Sequence, residues 1–564
     1  MSLPDHLDLV FLWHMHQPDY RDRLHGEFVL PWTYLHAIKD YTDMVAHLER
    51  HPRQRAVVNF VPILLEQIED YGDQFSTGRF RDPLLRLLAA PDLEHMTPDE
   101  KKLVLESCFR NNHATMLAPF PRYRRLYDFH QHLQQYGDTS VDYLSGAYYG
   151  DLLVWYHLSW CGETERRRQP LLAELMAKGE HFSYEDRSRL LHLIGDVIRG
   201  IIPRYRALAE AGRIELAATP YSHPLAPLLL DFESAREALP EVRLPQATGY
   251  SGGRTRVSAQ IAMARESHAL RFGRQPVGMW PAEGALSQQT LELLAAGGCQ
   301  WTASSESVLA NSLQASGGDL SNRPAYLYRP WQAEGAPGLT LFFRDERLSD
   351  FIGFEYAKWH GKDAALHFVN QLEAILEQAP TSKPPLVCVM LDGENAWEHY
   401  PYNGYYFFED LYALLDEHPR IRSTTFSEVL SRPHDTGTLP RLTAGSWVYG
   451  TFSTWIGDVD KNRAWDLLCA AKDTYDRVTA SGRLTEEQRQ GAEAQLSVCE
   501  SSDWFWWFGD YNPGPAVASF DALFRLNISR LYTLLGLAPP ADLEMPISRG
   551  GGHAEGGGSM RRAN

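Results

Sequence analysis

The chain has 564 residues, 44% of them hydrophobic, with a net charge of -18 and a pI of about 5.7. That supports two or three domains around a large core, and the acidic balance excludes a surface built for nucleic acid or an anionic membrane. No apolar run reaches the roughly 18 residues of a spanning helix, and the opening Met1-Ser2-Leu3-Pro4-Asp5 lacks the basic-then-apolar layout of a signal peptide. Six cysteines lie at 108, 161, 299, 388, 469 and 499 with no C-x-x-C pair, so neither a zinc ribbon nor a disulfide framework is expected, and a reducing, cytoplasmic location fits. Trp, Tyr and Phe make up 12% of the chain, and many cluster with acids in polar stretches. Flat rings beside carboxylates suit sugars, whose C–H faces stack and whose hydroxyls hydrogen-bond.

Taken in order, residues 7–13 read as a first strand that runs into His14-Met15-His16-Gln17-Pro18. Histidines at i and i+2 share a face of a strand. Common zinc signatures use other spacings and need a third ligand, so hydrogen bonding to a substrate is the expectation for His14 and His16. Residues 56–60 form a second strand, and Pro62 opens a helix with Leu64, Leu65 and Ile68 at helical spacing. Residues 75–210 read as mainly helical, with capping boxes at Thr97-Pro98-Asp99-Glu100 and Ser183-Tyr184-Glu185-Asp186. This block interrupts the strand rhythm and is expected to be a large excursion from one connection.

Residues 213–218 form a third strand, followed by Thr219-Pro220-Tyr221-Ser222-His223-Pro224. Glu215 within it is a charge among apolar neighbours and needs a buried partner, for which His16 or an arginine is a candidate. Residues 275–280 form a fourth strand ending in Pro281-Ala282-Glu283-Gly284, with Ser287 capping a helix over 288–296 that closes at Gly297-Gly298. Residues 299–303 and 339–343 form a fifth and a sixth strand, the latter leading to Arg344, Asp345 and Asp350. The run 385–390 forms a seventh and turns abruptly polar at Leu391-Asp392-Gly393-Glu394-Asn395-Ala396-Trp397. A helix follows over 404–415, and 424–426 suggests one more short strand.

Seven strands alternating with helices, each ending in polar residues, are the grammar of a (β/α) barrel whose chemistry sits at the strands' carboxyl ends. From about 440 the pattern changes to a helical region carrying Trp447, Trp455 and Trp465, a capping box at Thr485, and the aromatic run Asp503-Trp504-Phe505-Trp506-Trp507. The expected division is a catalytic barrel over 1–435, including the helical insertion at about 75–210; a helical domain over 436–546 that completes the cleft; and a disordered, glycine-rich tail over 547–564.

Carboxylates from different strand ends, Glu283 and Asp392, with tryptophans nearby, are the parts list for glycoside hydrolysis. His14-Met15-His16-Gln17-Pro18, Gly212-Arg213-Ile214-Glu215-Leu216, Gly278-Met279-Trp280-Pro281-Ala282-Glu283, Asp392-Gly393-Glu394-Asn395-Ala396-Trp397 and the run around Asp503-Trp504 resemble, in order, five regions of glycoside hydrolase family 57. The resemblance spans residues 14 to about 511. It implies an α/β fold, an incomplete seven-stranded TIM-like barrel with a large helical insertion and a C-terminal helical domain. It also implies retaining chemistry on an α-glucan oligo- or polysaccharide, without metal or other cofactor. By position, Glu283 is the implied nucleophile and Asp392 the implied acid/base, with His14, His16, Glu215, Trp280, Trp397, Asp503 and Trp504 around the substrate. Arg344 and Asp350 join them from their strand-end placement. Pro281-Ala282 differ from the residues the family commonly carries there but leave the catalytic spacing intact.

The layout leans to hydrolysis of α-linked glucans, α-1,4 linkages first and α-1,6 second, as in an α-amylase or amylopullulanase; a 4-α-glucanotransferase or branching enzyme of the same family is the alternative. Further off are a metal-dependent deacetylase, which needs one Asp and two His at one barrel end, and a non-catalytic glucan-binding protein. The motifs do not report chain-length preference or oligomeric state.

Overall fold

The computed structural model describes residues 4–137, 143–380, 383–552 and 560. Seven parallel strands organise it: β1 (Leu7–Met15), β2 (Ala56–Phe60), β3 (Ile214–Ala218), β4 (Gly278–Met279), β5 (Trp301–Ser305), β6 (Thr340–Arg344) and β7 (Leu386–Asp392). They run side by side in the order β7-β1-β2-β3-β4-β5-β6. Their residues are almost all buried, which is why β1 and β7 read as continuous apolar runs rather than alternating ones. Between β6 and β7 the described residues make no ladder. Instead Asp345 N–H donates to Cys388 O at 2.8 Å, so the sheet curls into a barrel that stays incomplete at this seam.

Two further pieces extend the sheet. Trp331–Ala333 lies antiparallel to β6 and pairs in parallel with Gly437–Leu439, while Ile421–Ser423 pairs with the start of β1. The short strand expected at 424–426 therefore comes three residues earlier. Thr425 instead caps a helix starting at Phe426, its hydroxyl accepting from Glu428 N–H, because a side-chain oxygen there serves the helix terminus better than a strand.

The helices follow the sequence signals closely. Pro62–Thr77 starts on its proline, Gln288–Ala296 is capped by Ser287, and complete capping boxes open Pro98–Ser107, Tyr184–Glu210 and Glu486–Cys499. The helix expected over 404–415 spans Tyr405–Glu417. The segment after 440 departs from expectation. It stays irregular until Val459–Ala480, so Trp447 and Trp455 sit in loop rather than helix and only Trp465 is helical. The loop is held by main-chain pairing of Leu286 with Gly445.

Three helices then pack on the barrel's mouth: Glu486–Cys499, Asp503–Trp507 and Gly514–Leu534. The buried carboxylate of Glu500 fastens them, taking hydrogen bonds from Arg256, Tyr250 and Gln260. Of the expected tail, Ile547 and Ser548 are buried and both donate backbone N–H groups to Asp521; residues 553–559 and 561–564 lie outside the described residues.

Candidate active site

Parallel register sets the first row of the site. His14 on β1 lies opposite Asn59 on β2 and Asp392 on β7, so the three side chains leave the same face of the sheet at its carboxyl end. His14 Nδ1 lies 2.7 Å from Asn59 Oδ1. Glu283 comes from the turn after β4 with φ of 59°, and His223, after β3, has φ of 63°. Left-handed backbone costs a non-glycine residue free energy and is tolerated where the surroundings fix it. Here both residues are fixed from the C-terminal segment: Trp447 N–H donates to Glu283 O and Ser502 N–H to His223 O, each at 2.9 Å.

The Glu283 carboxylate receives a donor on each oxygen, Ser502 Oγ on Oε1 at 2.9 Å and Trp447 Nε1 on Oε2 at 3.0 Å. Asp392 accepts from Asn395 Nδ2 at 2.8 Å. His16 Nε2 meets both oxygens of Asp503 at 2.9–3.0 Å, and its ring stacks on that of His223 with centroids 3.8 Å apart. Glu394, buried at the cleft wall, takes the His16 backbone N–H at 3.0 Å.

Removing carboxyls from water disfavours their ionised forms. Burial, with the nearby Asp503 and Asp392 charges added, pushes Glu283 up to about 8. Burial raises Asp392 to about 6, against the opposing pull of the Asn395 hydrogen bond and the charges of His16 and Arg344. Burial and then the Asp392 charge push Glu394 well above the usual carboxylate range. The cluster therefore holds protons at neutral pH that isolated acids would have lost.

These groups face one cleft with a cavity volume of about 450 Å³. Rings line it from three parts of the chain: Trp32, Trp160 of the helical excursion, and Trp447, Trp506, Trp507 and Phe520 of the C-terminal region. The excursion adds Arg110, Asn111 and Asn112 to the wall. A family model for glycosyl hydrolase family 57 matches residues 10–441. The chain belongs to that family.

Solved structures show the same fold. A family 57 branching enzyme from the archaeon Thermococcus kodakaraensis aligns with a TM-score of 0.56 at 16% identity, covering 94% of this chain and 90% of that one. A branching enzyme of the same type from Pyrococcus horikoshii gives 0.56 at 16% identity over 95% and 93% of the two chains. The α-amylase AmyC from Thermotoga maritima gives 0.54 at 14% identity over 94% and 93%.

Of the residues expected around the substrate of this family 57 enzyme, Glu283, Asp392, His14, His16 and Asp503 face the cleft. Six others do not line it. Trp280 is buried beneath Trp447, rings 5.4 Å apart. Trp397 is buried against Trp13 and donates to Gly393 O at 2.9 Å; Trp504 is buried and donates to Val498 O. Their indoles brace the loops that carry the acids. Glu215 has neither His16 nor an arginine as its partner. It accepts from Trp301 Nε1 at 2.7 Å and from Ser427 at 2.6–2.8 Å, tying the barrel wall to the Phe426 helix. Arg344 pairs with Asp350 at 2.9 Å and lies over the Trp447 ring at 5.3 Å, so it reaches Asp392 by its field only. Asp350 opens into a separate cavity with Arg323 and Glu346.

Sequence reasoning passed over His223, Trp447, Ser502 and Glu394. His223 had a signal, since it follows a strand as Glu283 and Asp392 do; Ser502 had a weak one, lying just before the Asp503-Trp504 run, and Trp447 had none, lying in an irregular segment.

His16, His223 and Asp503 have ligand atoms within 4.8 Å of one another, one Asp and two His at one barrel end. They do not fit a metal. The His16 and His223 rings are stacked at 17°, so their in-plane lone pairs run side by side rather than converging. Both His223 nitrogens are also engaged, Nε2 with His14 at 3.1 Å and Nδ1 with Ser502 at 2.8 Å.

Proposed function

We propose that this family 57 enzyme cleaves α-linked glucans by double displacement with retention, Glu283 acting as nucleophile and Asp392 as acid/base. What carries the reading is the pair itself: carboxyls from two strand ends face one aromatic-lined cleft, and Glu283 alone has a donor on each oxygen. In the first step Asp392 gives its proton to the glycosidic oxygen as a Glu283 oxygen bonds to the anomeric carbon and the C–O bond breaks. In the second, Asp392 takes a proton from the incoming hydroxyl, whose oxygen displaces Glu283. Water as acceptor gives hydrolysis, the first reading here; a sugar hydroxyl gives transfer. Chelation is expected to leave activity unchanged, because the stacked His16 and His223 rings do not converge on an ion; loss of activity on chelation would overturn this.

The proton inventory favours one competing assignment. In the free enzyme Glu283 is raised further than Asp392, which holds the shared proton on the intended nucleophile. The reactive arrangement then requires that proton to pass to Asp392 when substrate fills the cleft, with Trp447 and Ser502 stabilising the carboxylate left behind. The second reading exchanges the two roles. Azide rescue separates them: in the variant lacking the nucleophile azide gives a glycosyl azide of inverted configuration, and in the variant lacking the acid/base one of retained configuration.

Product analysis on maltoheptaose tests the activity, with Glu283→Gln as control. Rising reducing ends with shorter products only mean hydrolysis; longer and shorter products at constant reducing ends mean 4-α-transfer; new α-1,6 signals from amylose mean branching. The rings contributed by both the excursion and the C-terminal region are what favour transfer as the second reading, since they offer sugar platforms beyond a single donor site. No turnover of any glucan sinks the proposal.

The proposed division is a catalytic barrel over 1–435 and a cleft-completing region over 436–546, of which Gly437–Leu439 joins the barrel's sheet and the helices begin at Val459. A reducing, cytoplasmic compartment is assigned from six cysteines that are all free and buried. Among the described residues no helix is long and apolar enough to cross a membrane.

A further inference from the structure

Behind Glu283 a line of hydrogen bonds runs into the barrel wall. Ser502 Oγ is 2.9 Å from Glu283 Oε1 and 2.8 Å from His223 Nδ1. His223 Nε2 faces His14 Nε2 at 3.1 Å, and His14 Nδ1 faces Asn59 Oδ1 at 2.7 Å. Thr219 Oγ1 donates to the same Asn59 oxygen at 2.8 Å, while Asn59 Nδ2 is buried with no partner. All four linking residues are buried.

A neutral imidazole has one N–H and one lone pair, and a hydroxyl likewise gives one proton and takes another, so such a line has a direction. With Glu283 protonated, every donor points inward: Glu283 to Ser502, Ser502 to His223 Nδ1, His223 Nε2–H to His14 Nε2, His14 Nδ1–H to Asn59 Oδ1. With Glu283 ionised, Ser502 must donate to the carboxylate, and the line stays satisfied only if every link reverses. Asn59 can supply the last donor by turning its amide over, giving its unpartnered N–H₂ to His14 Nδ1 and Thr219 Oγ1.

We propose that Asn59, His14, His223 and Ser502 are positioning residues forming a reversible hydrogen-bond chain whose direction follows the protonation of Glu283. The inference deepens the double-displacement reading and rests on Glu283 being its nucleophile. The proton balance is closed: Glu283 releases one proton to solvent, and each imidazole loses a proton at one nitrogen and gains one at the other. Both stay neutral throughout. Burial and the neighbouring imidazoles hold His14 down to about 3 and His223 well below its ordinary value.

The charges that face the chain from outside are Asp392 and Asp503 on Glu283, His16 and Asp503 on His14, and His16 on His223. None of them is a link, so their fields bias the chain without reversing it. The advantage is chemical. An ionised Glu283 gains a hydroxyl donor that is itself polarised by an imidazole N–H, and no fixed cation is placed beside the developing positive charge on the sugar.

The test reads the tautomers directly, by 15N NMR of the full-length, histidine-labelled protein across pH, with His14→Asn and His223→Asn used only to assign signals. In the wild type the protonated and unprotonated nitrogens of both residues are expected to exchange roles together in one pH step, and in Glu283→Gln to stay fixed. Fixed tautomers in the wild type, or the same step in Glu283→Gln, would overturn the chain. Asn59→Leu leaves His14 Nδ1 without a partner in either direction; an orphaned buried N–H costs more than an orphaned lone pair, so the inward arrangement with Glu283 protonated loses more and the acid limb of kcat/KM should move to lower pH, whereas a loss uniform with pH counts against the proposal. Activity retained in Glu283→Gln would remove the nucleophile assignment while leaving the tautomer result to stand or fall alone.

Discussion

The barrel mouth brings Glu283 and Asp392 to one cleft but gives them little to lean on: among its described residues only Asn395 donates to either carboxyl. The segment from 440 to 510 carries neither acid of the pair, yet it supplies both donors to Glu283, from Trp447 and Ser502, and pairs Asp503 with His16. One region concentrates charge in a place that disfavours it, and the other makes that charge tolerable. The contrast teaches that the reactive groups and their electrostatic support come from parts of the chain with different folding rules, so each can be broken separately.

The largest effects should come from the barrel side. Glu283→Gln is expected to lower turnover by about three orders of magnitude or more, with the fold intact by circular dichroism. Asp392→Asn should cost roughly a hundred- to ten-thousandfold on substrates with poor leaving groups and much less on aryl or fluoride donors that need no protonation. Equal losses on both donor types would take the acid/base role from Asp392.

The supporting side should cost less. Trp447→Phe keeps the ring over Trp280 and the backbone bond to Glu283 O but removes the Nε1 donor from Oε2. Turnover is expected to fall roughly tenfold with little change in KM. A change confined to KM would mean that Trp447 is a sugar platform only and that Glu283 draws its support elsewhere.

The same contrast governs what the sequence could reveal. The strands are legible because buried parallel strands write themselves as apolar runs, and an acid just past such a run points to the barrel mouth; Glu283, Asp392, His14 and His16 were reached that way. Three tryptophans and Glu215, within or beside the same motifs, were read as substrate contacts, but the structure buries them as braces. A motif records that a residue matters to the loop, not which side of the loop it faces. The supporting half was largely illegible. Trp447 lies in an irregular loop with no periodicity, and Ser502 is an ordinary serine until it is set against Glu283 from 219 positions away. Only the neighbouring Asp503-Trp504 run hints at the place of Ser502, and nothing local to Trp447 encodes its meeting with Glu283.

A smaller effect, on pH, tests whether the support is also a burden. The Asp503 charge helps raise both Glu283 and Asp392, so Asp503→Asn should move both limbs of the kcat/KM profile to lower pH. An acid limb that stays in place would mean that the His16 contact already neutralises Asp503 in the free enzyme.

A last effect is on stability rather than turnover, and it weighs the two regions against each other. Glu283 rises from 4.5 to about 8 on folding, so between those values the folded state keeps a proton that the unfolded state has lost, and stability falls as pH rises through that window. Glu283→Gln removes this loss, so the variant should gain on the wild type as pH rises, by up to about 5 kcal/mol at the alkaline end, read as a growing difference in Tm. Its amide also carries a cost, because an NH₂ now faces one of the two donors from Trp447 and Ser502. That cost does not depend on pH, so it offsets the Tm difference without changing its slope. A flat difference across pH would mean that the two donors already cancel the penalty of burial, and that the C-terminal segment compensates fully for where the barrel has put its charge.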